Sequence, residues 1–189
     1  MIVIGITGTL GAGKGTLVNF LCKEMGYLHF SVRALVTEHI LDRGMEVNRD
    51  SMVVVANELR EQHSPSYLVE VLYERARRSG RNCVIESIRT PGEVEALRRK
   101  GHFYLFAVDA RPELRYQRIR RRNSETDHIT YEIFLENEAR EMASEDPNKQ
   151  NLQKCISMAD HLFMNNKTIS HLYEDLITVL DNILESQAH

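Results

Sequence analysis

Residues 8–16 have the sequence Gly-Thr-Leu-Gly-Ala-Gly-Lys-Gly-Thr and follow, after Thr7, a short apolar run, Ile2–Ile6. This run is rich in β-branched residues and predicts a buried parallel strand. Apolar residues at helical spacing after Lys14 predict a helix that ends near Met25. Glycines adopt backbone angles that other residues avoid, and they let a ligand approach the main chain closely. A strand, a glycine-rich turn and a helix in this order predict a binding site for nucleotide phosphates.

We call residues 8–16 the phosphate loop, and its residues have distinct expected roles. The backbone N–H groups form an anion-binding nest at the positive end of the following helix. Lys14 is expected to reach the β- and γ-phosphates, and the Thr16 hydroxyl to bind phosphate or metal. The usual pattern has Ser or Thr directly after the lysine, whereas here Gly15 stands between them. A glycine-rich turn without a ligand is the alternative interpretation. The residues predicted to bind nucleotide are Gly11, Ala12, Gly13, Lys14, Gly15 and Thr16.

Four further apolar runs, separated by helical patterns, extend the prediction to the whole chain. Strands that alternate with helices are typical of a parallel sheet covered by helices on both faces. We therefore predict an α/β fold, with three α/β/α layers built on a doubly wound, parallel, five-stranded sheet. The predicted strands after the first are Tyr27–Phe30, Cys83–Ile85, Phe103–Val108 and His161–Met164.

Two helical segments interrupt this alternation. Residues 31–80 contain no strong strand pattern, and residues 118–150 are highly charged. These are the places where a nucleotide enzyme has its mobile caps, and polar residues 123–127 are expected to interrupt the second segment. We predict a single domain, residues 1–189, with both segments as insertions. Its core is predicted to comprise about residues 1–30, 81–117 and 151–189.

Three positions carry the residue types that start helices. Ser31 is a plausible N-cap for the helix after the second strand. Thr90 is followed three residues later by Glu93, which is the spacing of a capping box. Ser64 before Pro65 predicts a further helix start, with the proline in the first turn.

Composition excludes several classes of protein. The chain has 189 residues, of which 42% are hydrophobic, and a formal net charge of −3, which does not fit a general nucleic-acid-binding surface. No apolar run approaches the roughly 18 residues of a membrane span, and a signal sequence is not evident. Cys22, Cys83 and Cys155 lie far apart and fit neither a disulfide framework nor a zinc site. The eight histidines lack metal-ligand spacing. We expect a cytoplasmic protein that binds neither membrane nor nucleic acid, and the sequence does not indicate its oligomeric state.

The phosphate loop resembles that of the adenylate kinase-type nucleoside monophosphate kinases, in which glycine also follows the loop lysine. A second segment, residues 86–90 with the sequence Glu-Ser-Ile-Arg-Thr, resembles the Asp-Gly-Phe-Pro-Arg-Thr segment of that family. Residues 159–161, followed by Asn165 and Asn166, resemble the last strand of those kinases and of dephospho-coenzyme A kinases. The chain departs from the family in two ways: Glu86 replaces aspartate, and Ser-Ile replaces Gly-Phe-Pro.

The resemblance implies a P-loop kinase fold with helical acceptor-binding and lid insertions, and roles for several residues. Glu86 is expected at a strand end beside the phosphate loop, where it binds Mg²⁺ through water together with Thr16; capping a helix is its alternative role. Arg89 and Arg33 are expected to hold the phosphate of the acceptor. Arg60, one helical turn after Asn57, is expected to reach the acceptor as well. A surface position is the alternative for Arg89, Asn57 and Arg60.

An arginine-rich helix after Pro112 resembles the lid of those kinases. Arg115, Arg118 and Arg122 fall on one helix face, and we predict that Arg118 and Arg122 act in catalysis on the transferring phosphate. Arg140 is a weaker candidate, because Glu136 and Glu141 offer it ordinary partners. The alternative for the whole helix is a solvated charged surface, with partners drawn from Glu125, Glu132 and Glu136.

Three functions follow from these observations. The first is transfer of the γ-phosphate of ATP, with Mg²⁺, to a nucleoside or deoxynucleoside monophosphate. The second has dephospho-coenzyme A or another small alcohol as the small-molecule acceptor. The third is a nucleotide-hydrolysing switch or an accessory ATPase. A guanine switch is disfavoured, since residues 148–151 read Asn-Lys-Gln-Asn and end in an amide rather than the required carboxylate.

Overall fold

The computed structural model describes residues 1–122 and 129–187. Its strands form one sheet in the order β2-β3-β1-β4-β5, and every neighbouring pair is parallel. This confirms the predicted five-stranded parallel α/β fold. The strands are β1 (Val3–Gly8), β2 (Leu28–Ser31), β3 (Cys83–Glu86), β4 (Phe103–Asp109) and β5 (His161–Met164).

Helices of the described residues connect these strands. Three of them, α2 to α4, lie between β2 and β3, within the segment that we predicted as an insertion. Two others, α6 and α7, lie in and beside the second predicted insertion. The bounds are α1 (Lys14–Lys23), α2 (Val32–Asp42), α3 (Arg49–Gln62), α4 (Tyr67–Ser79), α5 (Pro91–Arg98), α6 (Pro112–Arg122), α7 (Tyr131–Met142), α8 (Leu152–Ser157) and α9 (Ile169–Gln187).

Alternate residues of the strands point to opposite faces of the sheet and build two cores. Ile4 and Ile6 of β1 pack with α1 and α9 on one face, whereas Val3 packs with helices on the other. Cys83 and Ile85 of β3 likewise face away from Val84. The second face is covered by α2, α3, α4, α5 and α8. The three predicted layers are therefore present, and α4 packs against the sheet itself.

The predicted helix starts hold at two of the three positions. Ser31 caps α2, with its hydroxyl accepting from the N–H of Ala34. Thr90 and Glu93 form the expected reciprocal capping box of α5. The prediction for Ser64 is wrong, because α4 starts at Tyr67. The Ser64 carbonyl accepts a turn bond from the Tyr67 N–H, so the helix begins two residues later than expected.

The polar interruption predicted at residues 123–127 lies outside the described residues, as does the predicted partner Glu125. Among residues 1–122 and 129–187, none of the helices combines the length and apolar character needed to cross a lipid bilayer. The three cysteines are free thiols, and Cys83 and Cys155 are fully buried.

Candidate functional site

The site lies at the carboxyl edge of the sheet, where β1 runs between β3 and β4. Ile6 of β1 pairs with Glu86 of β3, and Gly8 pairs with Val108, the residue before Asp109. The last residues of three adjacent strands therefore meet around the phosphate loop. Open α/β sheets bind ligands at this edge.

The backbone of the phosphate loop shows why glycine is needed at some positions and not at others. Gly13 has φ 111° at the start of α1, and a Cβ there would lie 2.4 Å from Nδ2 of Asn165. A Cβ at Gly15 would meet nothing within 4 Å. The loop is thus held tightly at Gly13 and is open at the position where the usual pattern has a hydroxyl.

The side chain of Lys14 folds back over its own loop. Its Nζ donates to the carbonyl oxygens of Gly8 and Thr9, at 2.8 Å each. Burial, helped by the positive charge of Arg89, lowers the pKa of Lys14 from 10.5 to about 7. A buried cation with few counter-charges is suited to polyphosphate, which favours the charged form.

Three side chains from outside the loop fix its shape. The Thr9 hydroxyl donates to Oδ1 of Asp109 at 2.6 Å. Asn165, after β5, donates from Nδ2 to the Ala12 carbonyl at 2.8 Å, and Arg118 donates to the Asn165 carbonyl at 2.9 Å. Sequence reasoning singled out Arg118 but missed Asp109. An acid at the end of the strand beside β1 was the available signal.

Glu86 lies where the sequence places it, at the end of β3. It accepts a hydrogen bond from His29 at 2.9 Å and another from the Ser87 hydroxyl at 3.1 Å. Burial opposes its ionisation, but the hydrogen bond and charge of His29, together with the Ser87 hydrogen bond and the charge of Lys14, hold the pKa of Glu86 below its usual value. Sequence reasoning did not identify His29 as a partner of Glu86.

Mg²⁺ fits this part of the site. Glu86, Thr16 and Lys14 line the same cavity, which offers a carboxylate and a hydroxyl beside the loop that would hold phosphates. Magnesium in nucleotide sites takes few protein oxygens and completes its shell with phosphate and water. The described residues contain no cluster of three or more His, Cys, Asp or Glu side chains able to hold a metal.

Two cavities adjoin at the phosphate loop. The first, which we call the loop cavity, has a volume of about 490 Å³ and contains the predicted nucleotide-binding residues other than Ala12 together with Arg118 and Arg122. The second, the arginine cavity, has a volume of about 80 Å³ and lies between the phosphate loop, α2, α3 and the end of α7. Both are lined by Leu10, Arg33, Ser87 and Arg89.

Arg89 is at the centre of the arginine cavity. Its Nη1 donates to Oε2 of Glu141 at 2.5 Å and to Oε1 of Gln150 at 2.7 Å, while its carbonyl accepts from Asn151 at 2.8 Å. Arg49, at the start of α3, bonds the other oxygen of Glu141. Arg49, Glu141 and Gln150 were not predicted as site residues. No local sequence motif marks these residues, because their contacts join positions that are far apart in sequence.

Ser87 lies between Glu86 and Arg89 in sequence, and its backbone has an unusual conformation. Its φ of 71° lies in the left-handed region that favours glycine. The resembling kinase segment has glycine at this position. The strand end therefore needs this backbone turn whether or not a side chain is present.

Arg60 differs from the other predicted acceptor residues. It lines the arginine cavity, but its Nη2 and Nε donate to Oε1 of Glu93 at 2.8 and 3.2 Å. Both side chains are buried, with 1% and 0% exposure, so the alternative of a surface position for Arg60 is wrong. Oε2 of Glu93 accepts from the backbone N–H of Arg89 at 2.8 Å. Arg60 thus positions the chain that carries Arg89.

The arginines of α6 have separate environments. Arg115 is buried and forms an ion pair with Glu138 of α7, so the interpretation of this helix as a fully solvated surface is wrong. Arg118 and Arg122 line the loop cavity. Arg140 lies near Asp50 and Asn137 rather than its expected partners, Glu136 and Glu141. Ring contacts between Tyr116 and Phe134 and between Tyr116 and Tyr131 also join α6 to α7.

The sheet order, the glycine-rich loop after β1 and the helix that follows it define the class of P-loop α/β proteins. A family model described as an AAA domain matches residues 4–146, and the chain belongs to that family. A UPF0200 protein from Methanococcus vannielii is 28% identical over 188 residues, which cover 97% of each chain.

Solved structures of similar fold include two small-molecule kinases. A gluconokinase from Sinorhizobium meliloti has a TM-score of 0.62 at 15% identity, covering 100% of this chain and 98% of its own. A shikimate kinase from Aquifex aeolicus has a TM-score of 0.55 at 15% identity, covering 96% of this chain and 97% of its own. At these identities the likeness shows that the fold is shared.

Proposed function

We propose that the protein transfers the γ-phosphate of ATP to a small-molecule acceptor, and that this acceptor is a nucleoside monophosphate. The observation that carries the proposal is the second cavity, which adjoins the phosphate loop and shares Arg33 and Arg89 with the loop cavity. A protein that only hydrolyses ATP has no need of it. A kinase needs both substrates side by side, with cations at the point where they meet.

The proposed roles follow the charges around this junction. Backbone N–H groups of the phosphate loop and Lys14 hold the β- and γ-phosphates. Thr16 and, through water, Glu86 hold Mg²⁺, which would neutralise charge on the transferring group. Arg118 and Arg122 line the same loop cavity, and we assign them to the γ-phosphate. Arg33 and Arg89 orient the acceptor.

The connection of α6 to α7 supports transfer over hydrolysis. Arg115 bonds the Ala110 carbonyl near the phosphate loop at 2.6 Å and also pairs with Glu138 of α7. Any displacement of α7 by a bound acceptor is thereby linked to the helix that carries Arg118 and Arg122. Kinases exclude water from the transferring phosphate by closing mobile segments over both substrates, and such a link would couple them.

A non-nucleotide acceptor is the second candidate. The fold is shared with a gluconokinase and a shikimate kinase, whose named substrates are small polar molecules. Dephospho-coenzyme A belongs to the same group of alcohol acceptors. An accessory ATPase is the third candidate, in line with the AAA domain family.

A coupled assay with ATP and Mg²⁺ tests the proposal. ADP formation is measured with a panel of ribo- and deoxynucleoside monophosphates, dephospho-coenzyme A, gluconate and shikimate. We expect ADP formation that depends on one of the monophosphates and is lost in Lys14→Ala. Hydrolysis that is the same with and without every acceptor contradicts the proposal, and turnover with an alcohol alone favours the second candidate.

A further inference from the structure

The arginine cavity is filled by a carboxylate of the chain itself. Glu141, in the last turn of α7, accepts from Arg49 at Oε1 and from Arg89 at Oε2. Its side chain is only 6% exposed. Two guanidinium groups on the two oxygens of one carboxylate are the arrangement that binds an anionic ligand.

The cavity that remains beside Glu141 is small. The remaining volume is about 80 Å³, whereas pockets for small molecules typically have about 300–1,000 Å³. The loop cavity, with about 490 Å³, is within that range. In this state the arginine cavity is too small for a phosphorylated metabolite, and Glu141 is a charged side chain that fills part of it.

The single negative charge of Glu141 does not neutralise the arginines around it. Arg33, Arg49 and Arg89 line the cavity, and Arg60 is already neutralised by Glu93. The Nε atom of Arg49 is buried and has no hydrogen-bond partner among the described residues. One carboxylate thus leaves positive charge and a donor unused.

We propose that Glu141 is an internal competitor for the acceptor's anionic group, and that only a dianion displaces it well. This inference rests on the proposed function for the identity of the acceptor. Exchange of one monocarboxylate for another adds no attraction and costs the entropy of binding. A phosphate monoester brings a second charge and a further oxygen for Nε of Arg49. Glu141 thereby selects phosphate monoesters over carboxylate acceptors such as gluconate or shikimate.

Binding of inorganic phosphate to the whole chain tests the competition without any assumption about catalysis. In Glu141→Gln the side chain keeps its shape but loses its charge. We expect phosphate, titrated calorimetrically at constant ionic strength, to bind about tenfold more tightly to this variant than to the natural sequence. Glu136→Gln is the matched control, because Glu136 is exposed on the same helix. Equal or weaker binding to Glu141→Gln overturns the proposal.

Phosphate also binds at phosphate loops, so the gain has to be assigned to the arginine cavity. In the double variant Arg49→Met with Glu141→Gln, the gain should disappear, whereas a gain at the phosphate loop would remain. A gain that survives the loss of Arg49 contradicts the proposal. Acetate, as a monocarboxylate, should show no comparable gain.

A further test uses the natural sequence and needs no substitution. Displacement of Glu141 frees the last turn of α7, so phosphate should speed hydrogen exchange at residues 138–142. Slower exchange there on addition of phosphate would overturn the inference.

Kinetics separate this inference from the proposed function. If a monophosphate is phosphorylated, Glu141→Gln should lower its KM several-fold, and by more than it lowers the KM of ATP. If no acceptor is phosphorylated but the phosphate gain is found, the competitor role stands and the proposed function fails. A higher acceptor KM in Glu141→Gln makes Glu141 a binding residue and overturns its role as a competitor.

Discussion

The ammonium group of Lys14 is buried against two carbonyl oxygens of its own loop, and this gives the site a dependence on pH. Its pKa in the folded chain is about 7, well below its value of 10.5 in a model peptide. Below about pH 7 both folded and unfolded chains hold the proton, so the cost of the buried charge is fully present. As pH rises above that value, only the folded chain loses the proton, and stability increases.

The same shift predicts that nucleotide binding takes up a proton. Phosphates favour the charged form of Lys14, so its pKa rises on binding. ATP affinity should therefore fall as pH increases above about 7. Calorimetry at pH 8 in two buffers of different ionisation enthalpy measures the uptake. Lys14→Met should remove the part of the uptake that Lys14 contributes, and unchanged uptake would assign the proton to another group.

Substitution of two glycines of the phosphate loop by alanine should have opposite effects on stability. Gly13→Ala places a Cβ 2.4 Å from Asn165 in a left-handed conformation, and disrupts the bond from Asn165 to Ala12. We expect a loss of about 2–4 kcal/mol in the free energy of unfolding, with weaker ATP binding. Gly15→Ala meets open space within α1 and should raise stability by up to about 1 kcal/mol. Urea unfolding measures both, and equal destabilisation by the two changes would contradict this interpretation of the loop.

At the scale of the elements, the pair Arg60–Glu93 joins α3 to the start of α5. Both partners are fully buried, so removing one leaves an uncompensated charge. Arg60→Leu should lower the free energy of unfolding by about 3–5 kcal/mol. Arg43→Leu removes a partly exposed ion pair with Glu58 and should cost about 1 kcal/mol or less. Chemical denaturation compares them, and a similar small loss in both would show that Arg60 is not essential for packing.

The elements themselves were largely predictable because their signals are local. Alternating faces of β1 and the capping box of Thr90 depend on residues close in sequence. The error at Ser64 has a local cause as well, since a turn before Tyr67 delays the helix by two residues. The phosphate loop is predictable for the same reason, because its glycines determine the backbone conformation of one short segment.

The acceptor side of the site was less predictable because its contacts cross the chain. Arg49 and Glu141 are 92 positions apart, and neither carries a motif. Arg60 was predicted from its spacing to Asn57, but its partner Glu93 is visible in sequence only as a helix cap. The sequence is compatible with many pairings of oppositely charged long side chains, and the fold determines which of these side chains are in contact.

For the whole molecule, the shared wall between the two cavities predicts that their ligands interact. Arg33 and Arg89 line both, so a donor and an acceptor phosphate would share cations. An ATP analogue tethered through its phosphates to the nucleoside of the monophosphate that the assay identifies should bind at least about a hundredfold more tightly than ATP alone. Calorimetric titration measures this. Affinity no better than that of ATP would show that the two cavities are not occupied together.

The two buried thiols can report local unfolding of the natural chain through their rates of alkylation. Burial raises the pKa of Cys83, in the sheet, and of Cys155, in α8, to about 12. An alkylating reagent therefore reaches each only after local exposure. Cys22, half-buried on α1, provides an internal reference that reacts first. Comparing the alkylation rates of Cys155 and Cys83 with and without ligand would tell whether α8 loosens while the sheet stays closed.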